Sequence, residues 1–131
     1  MTGNLSYCGQ EARRLDWERF MCAVFAPPGH REALFALLAF DLELAKTRHV
    51  VSEPLLGEIR LQWWQGVIDN IYDAPDDVPL GNPILEALKM TVIDYRLPRA
   101  VVTEIVDGYV GLRNRGVIAF NVYSEISAVY V

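Results

Sequence analysis

The sequence has few cysteines, no long apolar run and fewer basic than acidic residues. Cys8 and Cys22 are its two thiols, and no Cys-X-X-Cys pattern or Cys/His cluster accompanies them, which argues against a zinc site. No apolar run reaches the roughly 18 residues of a transmembrane segment. Its 12 Lys and Arg against 17 Asp and Glu argue against a nucleic-acid partner, because phosphate binding needs clustered basic residues.

The N-terminal residues also lack a targeting pattern. "MTGNLSYCGQEARRLDWERF" has no charged stretch followed by an apolar one, as a signal peptide would. We therefore expect a cytoplasmic protein, at most peripheral to a membrane, with both thiols reduced. A chain of 131 residues that is 52% hydrophobic at a net charge of -5 is long and apolar enough to bury the core of one domain.

Prolines and glycines divide residues 1–108 into helical segments, so we predict an all-α helical bundle. The predicted helices cover residues 11–25, 31–51, 55–72, 84–96 and 99–108. In the second one, apolar residues recur at the i, i+3, i+4 spacing of a helix face; they are Leu34, Leu37, Leu38, Leu42 and Ala45. Pro27 and Pro28 stop the first helix, and Gly108 is a candidate C-cap for the last.

Residues 109–131 differ in composition from the rest. They contain one acid, Glu125, and two arginines, and they are rich in Val, Tyr, Ile and Phe, which favour strands. We therefore divide the chain into a helical domain, 1–108, and a divergent tail, 109–131. The tail is either a β-prone end that packs on the bundle or a sequence foreign to the fold, such as a frame-shifted product.

Candidate metal ligands come from the acidic residues on the helices. Two carboxylates four residues apart on a helix point the same way and share a hard cation such as Mg²⁺. Asp69 and Asp73 have this spacing, whereas Asp41 has Ala45 at the matching position. Asp69 and Asp73 are therefore a candidate pair of Mg²⁺ ligands, and Asp41 is a candidate as a single acid. The alternative interpretation is that all three are solvated or salt-bridged acids.

Candidate substrate-binding residues are two bases and two tryptophans. Lys46 and Arg48 add positive charge that would attract an anion, or they belong to a solvated or salt-bridged helix face. Trp63 and Trp64 point about 100° apart on a helix, so an apolar wall of a ligand site and simple core packing are both open. No Ser/His/Asp arrangement and no glycine-rich phosphate loop is present, and no catalytic residue is assigned.

The stretches "ALFALLAF", "VSEP", "GEIRLQWW" and "GNPILEAL", with Arg31 after the first turn, occur in an order that resembles the N-terminal part of squalene/phytoene synthases. The resemblance covers residues 16–108. It implies an all-α isoprenoid-synthase fold and a head-to-head condensation of two prenyl diphosphates. It also implies Mg²⁺ as cofactor, held by two aspartate-rich motifs.

The first aspartate motif would fall on "AKTRH", residues 45–49, where no aspartate stands. In this respect the chain resembles the branch of the family that includes respiratory complex I assembly factors. Two functions follow: a truncated, catalytically impaired prenyltransferase, or a non-catalytic scaffold that binds a lipid or a protein in a helical groove. Because half of a helical domain leaves apolar stripes uncovered, we also expect self-association.

Overall fold

The computed structural model describes residues 5–48 and 54–110, and every element in them is helical. The protein is an all-α bundle, as the sequence predicts. Its helices are α1 (Tyr7–Leu15), α2 (Trp17–Val24), α3 (Arg31–Ala45), α4 (Pro54–Asp73), α5 (Pro83–Tyr95) and α6 (Arg99–Val110), with short 3₁₀ turns at Pro28–His30, Lys46–Arg48 and Pro75–Asp77. Ser52 and Glu53 of the "VSEP" stretch and most of the predicted β-prone tail lie outside the described residues.

The predicted single helix over residues 11–25 is wrong, because Asp16 divides it into α1 and α2. Asp16 adopts a non-helical backbone (φ -149°, ψ 77°), and its N–H donates to the Ala12 carbonyl at 2.8 Å. Its side-chain oxygen accepts from the Arg19 N–H at 3.1 Å. An aspartate that caps the first turn of a new helix competes in this way with continuation of the old one.

The core is built around α3, which packs against α1, α2, α5 and α6. This helix is buried on almost every side, as expected of a helix that is apolar all round. It ends at Ala45 rather than at residue 51 as predicted, and a 3₁₀ turn follows in which the Thr47 hydroxyl donates to the Leu44 carbonyl at 2.6 Å. Helix α4 passes close to this turn: a Cβ on Gly57 would lie 3.0 Å from the Thr47 carbonyl oxygen.

Two tyrosines connect the later helices to the loops. The Tyr95 hydroxyl donates to the Gly29 carbonyl at 2.9 Å, and the Tyr72 hydroxyl donates to the Leu97 carbonyl at 2.7 Å. Gly108 is not the C-cap that the sequence predicts. It is buried inside α6, which continues to Val110, so the helical part extends past the position where the composition changes.

One face of α4 exposes apolar side chains. Leu56, Ile59 and Trp63 follow each other at i, i+3 and i+7 and are each at least 42% exposed, so they share one side of the helix. No described helix has the length and apolarity needed to cross a bilayer. Whether this face supports self-association stays a prediction.

Two leucines provide a matched test of the core. Leu88 on α5 is fully buried, whereas Leu80 in the preceding loop is 87% exposed. We expect Leu88→Ala to lower the free energy of unfolding by about 2–5 kcal/mol, since it leaves a cavity, and Leu80→Ala to change it by less than about 0.5 kcal/mol. Urea titration followed by circular dichroism measures both, and equal effects would contradict the assigned core.

The two cysteines are both free, and they differ in reactivity because they differ in burial. Cys22 is exposed, while Cys8 is buried, and burial, with the charges of Glu32 and Glu11, raises the pKa of Cys8 to about 11. Because the thiolate is the reactive form, we expect iodoacetamide at pH 8 to label Cys22 alone in the native protein. Mass spectrometry should find Cys8 labelled only after denaturation, and equal native labelling would contradict its burial.

Candidate functional site

A buried polar cluster joins three helices at the centre of the bundle. Asp41 lies on α3 and is only 6% exposed. One of its carboxylate oxygens accepts a hydrogen bond from the Tyr109 hydroxyl of α6 at 2.5 Å. The other oxygen lies 2.9 Å from a guanidinium nitrogen of Arg19 on α2. The carboxylate is therefore engaged on both oxygens by groups from neighbouring helices.

Arg19 is itself held by a second acid. Its Nε donates to the Asp16 carboxylate at 2.6 Å, so the guanidinium bridges Asp16 and Asp41. Burial disfavours the charged guanidinium, but the hydrogen bonds and charges of the two carboxylates outweigh it and raise the pKa of Arg19 above its ordinary value. The counter-ion of the Asp41 carboxylate is therefore the guanidinium of Arg19.

The cluster does not fit Mg²⁺ at Asp41. Magnesium needs several oxygen ligands in an octahedral arrangement, whereas here one oxygen faces a phenol donor and the other a guanidinium. A second cation beside Arg19 would be repelled by it. In the described part of the chain no three residues of the types His, Cys, Asp or Glu come together as a metal site.

Asp69 and Asp73 lie at the end of α4, beside an arginine of α6. A guanidinium nitrogen of Arg99 is 2.6 Å from the Asp73 carboxylate and 3.4 Å from the Asp69 carbonyl. The same guanidinium lies over the Tyr72 ring, 5.3 Å from its centroid. The Asp69 side chain accepts from Gln65 at 3.4 Å. Arg99 is thus the cationic partner of the Asp73 carboxylate, whereas it contacts Asp69 only at the backbone carbonyl.

Lys46, the first candidate for diphosphate binding, is paired with two acids. Its Nζ is 3.0 Å from Glu43 and 3.8 Å from Glu11. Glu11 also pairs with Arg14, and that hydrogen bond, more than the charges of Arg14 and Lys46, lowers the pKa of Glu11. A diphosphate at Lys46 would have to displace these carboxylates. Arg48, the second candidate, ends the 3₁₀ turn, and its side chain lies outside the described part.

The two adjacent tryptophans occupy different environments. Trp64 is 4% exposed, and its ring lies 5.3 Å from that of Phe40 on α3 in an edge-to-face arrangement. Trp63 is 44% exposed and stands on the apolar face of α4 with Leu56 and Ile59. Trp64 belongs to the core, whereas Trp63 is available to a ligand or a partner.

Sequence reasoning missed Arg19, Tyr109 and Asp16. Asp41 and Tyr109 are 68 residues apart in the chain, and the division by composition places Tyr109 in the tail. One local signal is present: Asp41 is the one charged residue in the otherwise apolar run from Ala33 to Leu42. Such an acid implies a buried partner, because an unpaired buried charge is very costly. That signal predicts a partner without telling which residue it is.

Comparison with known proteins agrees with this architecture. The sequence profile of the family described as Squalene/phytoene synthase matches residues 12–111. The chain therefore belongs to the squalene/phytoene synthase family. No solved structure matches it.

Curated relatives in this family carry the name "NADH dehydrogenase (ubiquinone) complex I, assembly factor 6". The chain is 33% identical to the one from Bos taurus over 106 residues, 81% of this chain and 31% of the relative. It is 33% identical to the one from Homo sapiens over 103 residues, 78% of this chain and 31% of the relative. A Drosophila melanogaster homolog is 29% identical over 104 residues. The chain thus spans about a third of the length of these relatives.

Substitutions in the cluster test its structural role. We expect Asp41→Ala to lower the free energy of unfolding by about 1–3 kcal/mol, because it removes the acceptor of the buried Tyr109 hydroxyl and one of the two carboxylates of the partly exposed Arg19. Tyr109→Phe, which removes one donor, should cost about 1–3 kcal/mol. Urea titration at pH 7 measures both changes.

The control removes the whole ion pair at once. Arg19→Met combined with Asp41→Leu should be less destabilising than Asp41→Ala alone, since both charges of this pair are removed. The remaining carboxylate, Asp16, has a side chain that is 23% exposed and in contact with solvent. Loss of less than about 0.5 kcal/mol in Asp41→Ala, or marked stabilisation of the wild type by millimolar Mg²⁺, would contradict the assignment of Asp41 to a structural ion pair.

Proposed function

We propose that this chain acts as a protein-binding assembly factor of the respiratory complex I type and does not transfer prenyl groups. The observation that carries the proposal is the engagement of Asp41 by Arg19 and Tyr109. A metal-dependent enzyme of this family would use an aspartate on α3 as a metal ligand. Asp41 on α3 is instead paired with Arg19 and Tyr109. The names of the curated relatives support the same function.

The chemistry of the family reaction argues in the same direction. Departure of diphosphate needs cations held near the developing negative charge of the transition state. The position of the family's first aspartate motif, residues 45–49, contains no aspartate, and Lys46 is paired with Glu43 and Glu11. The Lys46 ammonium would also bind the ground state and the transition state with similar strength. It would therefore lower the activation free energy of the chemical step only slightly.

The exposed face of α4 has the composition of a protein-binding surface. Trp63 stands half-exposed beside Ile59 and Leu56 on a single helix, and exposed aromatic side chains within an apolar patch are typical anchors of protein interfaces. A lipid is the alternative occupant of this face.

The first experiment tests assembly directly. In human cells that lack assembly factor 6, we would express a chimera of the human relative in which residues 12–110 of this chain replace the matched segment. We expect the chimera to restore assembled complex I on native gels and NADH:ubiquinone activity. A chimera with the Drosophila segment is the matched control. Restoration by the control but not by this chain would contradict the proposal.

The second experiment tests catalysis. We expect the purified chain, incubated with farnesyl or geranylgeranyl diphosphate, to release no more diphosphate with Mg²⁺ than a sample without protein. Asp69→Ala serves as a control for the acids of α4. Magnesium-dependent release that persists in Asp69→Ala and disappears in Asp41→Asn would overturn the proposal and assign a metal to α3.

A further inference from the structure

The exposed side of α4 holds a regular stripe of four residues. Leu56, Ile59, Trp63 and Gly66 follow one another at intervals of three, four and three residues, and all four are exposed. At about 100° per residue, these positions fall within roughly 80° of the helix circumference. We call them the α4 stripe. Alternating intervals of three and four residues are the spacing at which one helix packs against another in a coiled coil.

Gly66 makes no contact that would explain a glycine at this position. It lies in the interior of α4, and a Cβ added to it would meet no other atom within 4 Å. Glycine destabilises the interior of a helix relative to alanine, and no described residue packs into the space above it as compensation. Because glycine lets a backbone or a bulky side chain approach a helix closely, Gly66 indicates an approach from outside the described bundle.

Trp63 is exposed, but its ring is supported from below. The Trp64 ring lies against it edge to face, with 5.1 Å between the ring centroids, and Trp64 in turn lies 5.3 Å from Phe40 in the core. A side chain that is ordered in this way before binding loses little conformational freedom when a partner covers it. The α4 stripe therefore combines a pre-ordered aromatic anchor with an open position at Gly66.

The flanks of the stripe differ in charge. Arg60 is exposed about 80° from the middle of the stripe, and the ion pairs found among the described residues do not include it. Gln62 lies on the opposite flank and has no charge, while Glu58 points about 120° away from the middle of the stripe. An acidic side chain of a bound helix would therefore be attracted to the Arg60 flank.

A second copy of the chain fits the stripe less well than a different helix does. In an antiparallel pair of α4 helices, both copies of Arg60 would lie on the same side of the contact, where like charges repel. In a parallel pair, Gly66 would face Gly66 and leave a gap, which forfeits packing contacts. The complementary helix instead carries a large side chain opposite Gly66 and an acid opposite Arg60.

We propose that the α4 stripe binds an amphipathic helix of the protein partner, with a bulky apolar side chain against Gly66 and a carboxylate beside Arg60. The proposal rests on the assembly-factor function above for the existence of a protein partner, and it adds which structural element of the partner is bound. Recognition of one face of an amphipathic helix through apolar anchors at such intervals is a recurring mode of peptide binding. A bilayer would use the apolar residues but would gain nothing from a glycine at one register position.

The test measures the binding of a helical peptide to the whole purified chain. The probe is a fluorescein-labelled peptide of about three heptads, with Leu at positions a and d and Glu at positions e and g, whose own flanks repel and so resist self-pairing. The control peptide contains the same residues in an order that places the leucines on no single side. We expect the heptad peptide to bind in the micromolar range by fluorescence anisotropy, and the control peptide to bind at least about fivefold more weakly.

Variants of two glycines separate binding from folding. Gly66→Leu should weaken binding of the heptad peptide at least about fivefold, yet it should raise the Tm of the chain by about 2–8 °C, because leucine is the better helix former and the space is open. Gly29→Leu is the matched control, since Gly29 also has open space above its Cα but lies in the Pro28–His30 turn. It should leave the peptide affinity unchanged.

Variants of two arginines test the charge. Arg60→Gln should weaken binding of the heptad peptide by about two- to fivefold, the effect of one exposed ion pair. Arg13→Gln removes the same charge from an exposed position on α1 and should change the affinity by less. Equal binding of the two peptides, an unchanged affinity in Gly66→Leu, or equal weakening by both arginine variants would overturn the proposal.

Further outcomes identify the other occupants. Binding to vesicles of phosphatidylcholine and cardiolipin without binding of the heptad peptide would overturn the proposal in favour of a lipid surface. A dimer in sedimentation equilibrium that Gly66→Leu dissociates, again without peptide binding, would overturn it in favour of a second copy. Failure of the chimera to restore complex I with peptide binding intact would remove the proposed function and leave the stripe as a helix-binding surface. A functional chimera without peptide binding would remove only the stripe.

Discussion

The burial of one carboxylate, that of Asp41, constrains the arrangement of the whole bundle. A charge on the central helix is costly unless oppositely charged or hydrogen-bonding groups meet it. Arg19 from α2 and Tyr109 from α6 meet it here. For Arg19 and Tyr109 to reach Asp41, α2 has to begin in a new direction after Asp16, and α6 has to continue past Gly108. Apolar packing around α3 supplies most of the favourable free energy, and the polar cluster selects one mutual orientation of these helices.

The same interaction bears on the proposal that this chain lacks the chemistry of its family. An arginine holds its charge permanently and occupies a fixed position, whereas a metal-dependent site needs carboxylates whose oxygens remain open to a cation. At Asp41 and at the pair of Asp69 and Asp73, the described structure places guanidinium groups beside the acids. A fold can be retained while its functional site changes, and the electrostatics of these two sites are consistent with such a change.

Apolar and aromatic side chains also remain on the outer surface of the bundle. The face of α4 that contains Trp63 exposes Leu56 and Ile59 as well. Half-exposed aromatic side chains within an apolar patch are typical of the anchors of protein interfaces.

The sequence by itself determined the helical class, the breaks at Pro27–Pro28 and Pro83, the family, and the absence of aspartates at residues 45–49. These features depend on local backbone geometry and on residue identity, which a sequence displays directly. The helix ends were predicted less well, because capping by Asp16 and the continuation of α6 past Gly108 depend on competition between nearby hydrogen bonds. Only the tertiary structure decided that Asp41 pairs with Arg19 and Tyr109, that Arg99 pairs with Asp73, and which tryptophan is buried. Those contacts join residues distant in the chain, and the helix period alone does not determine which faces meet.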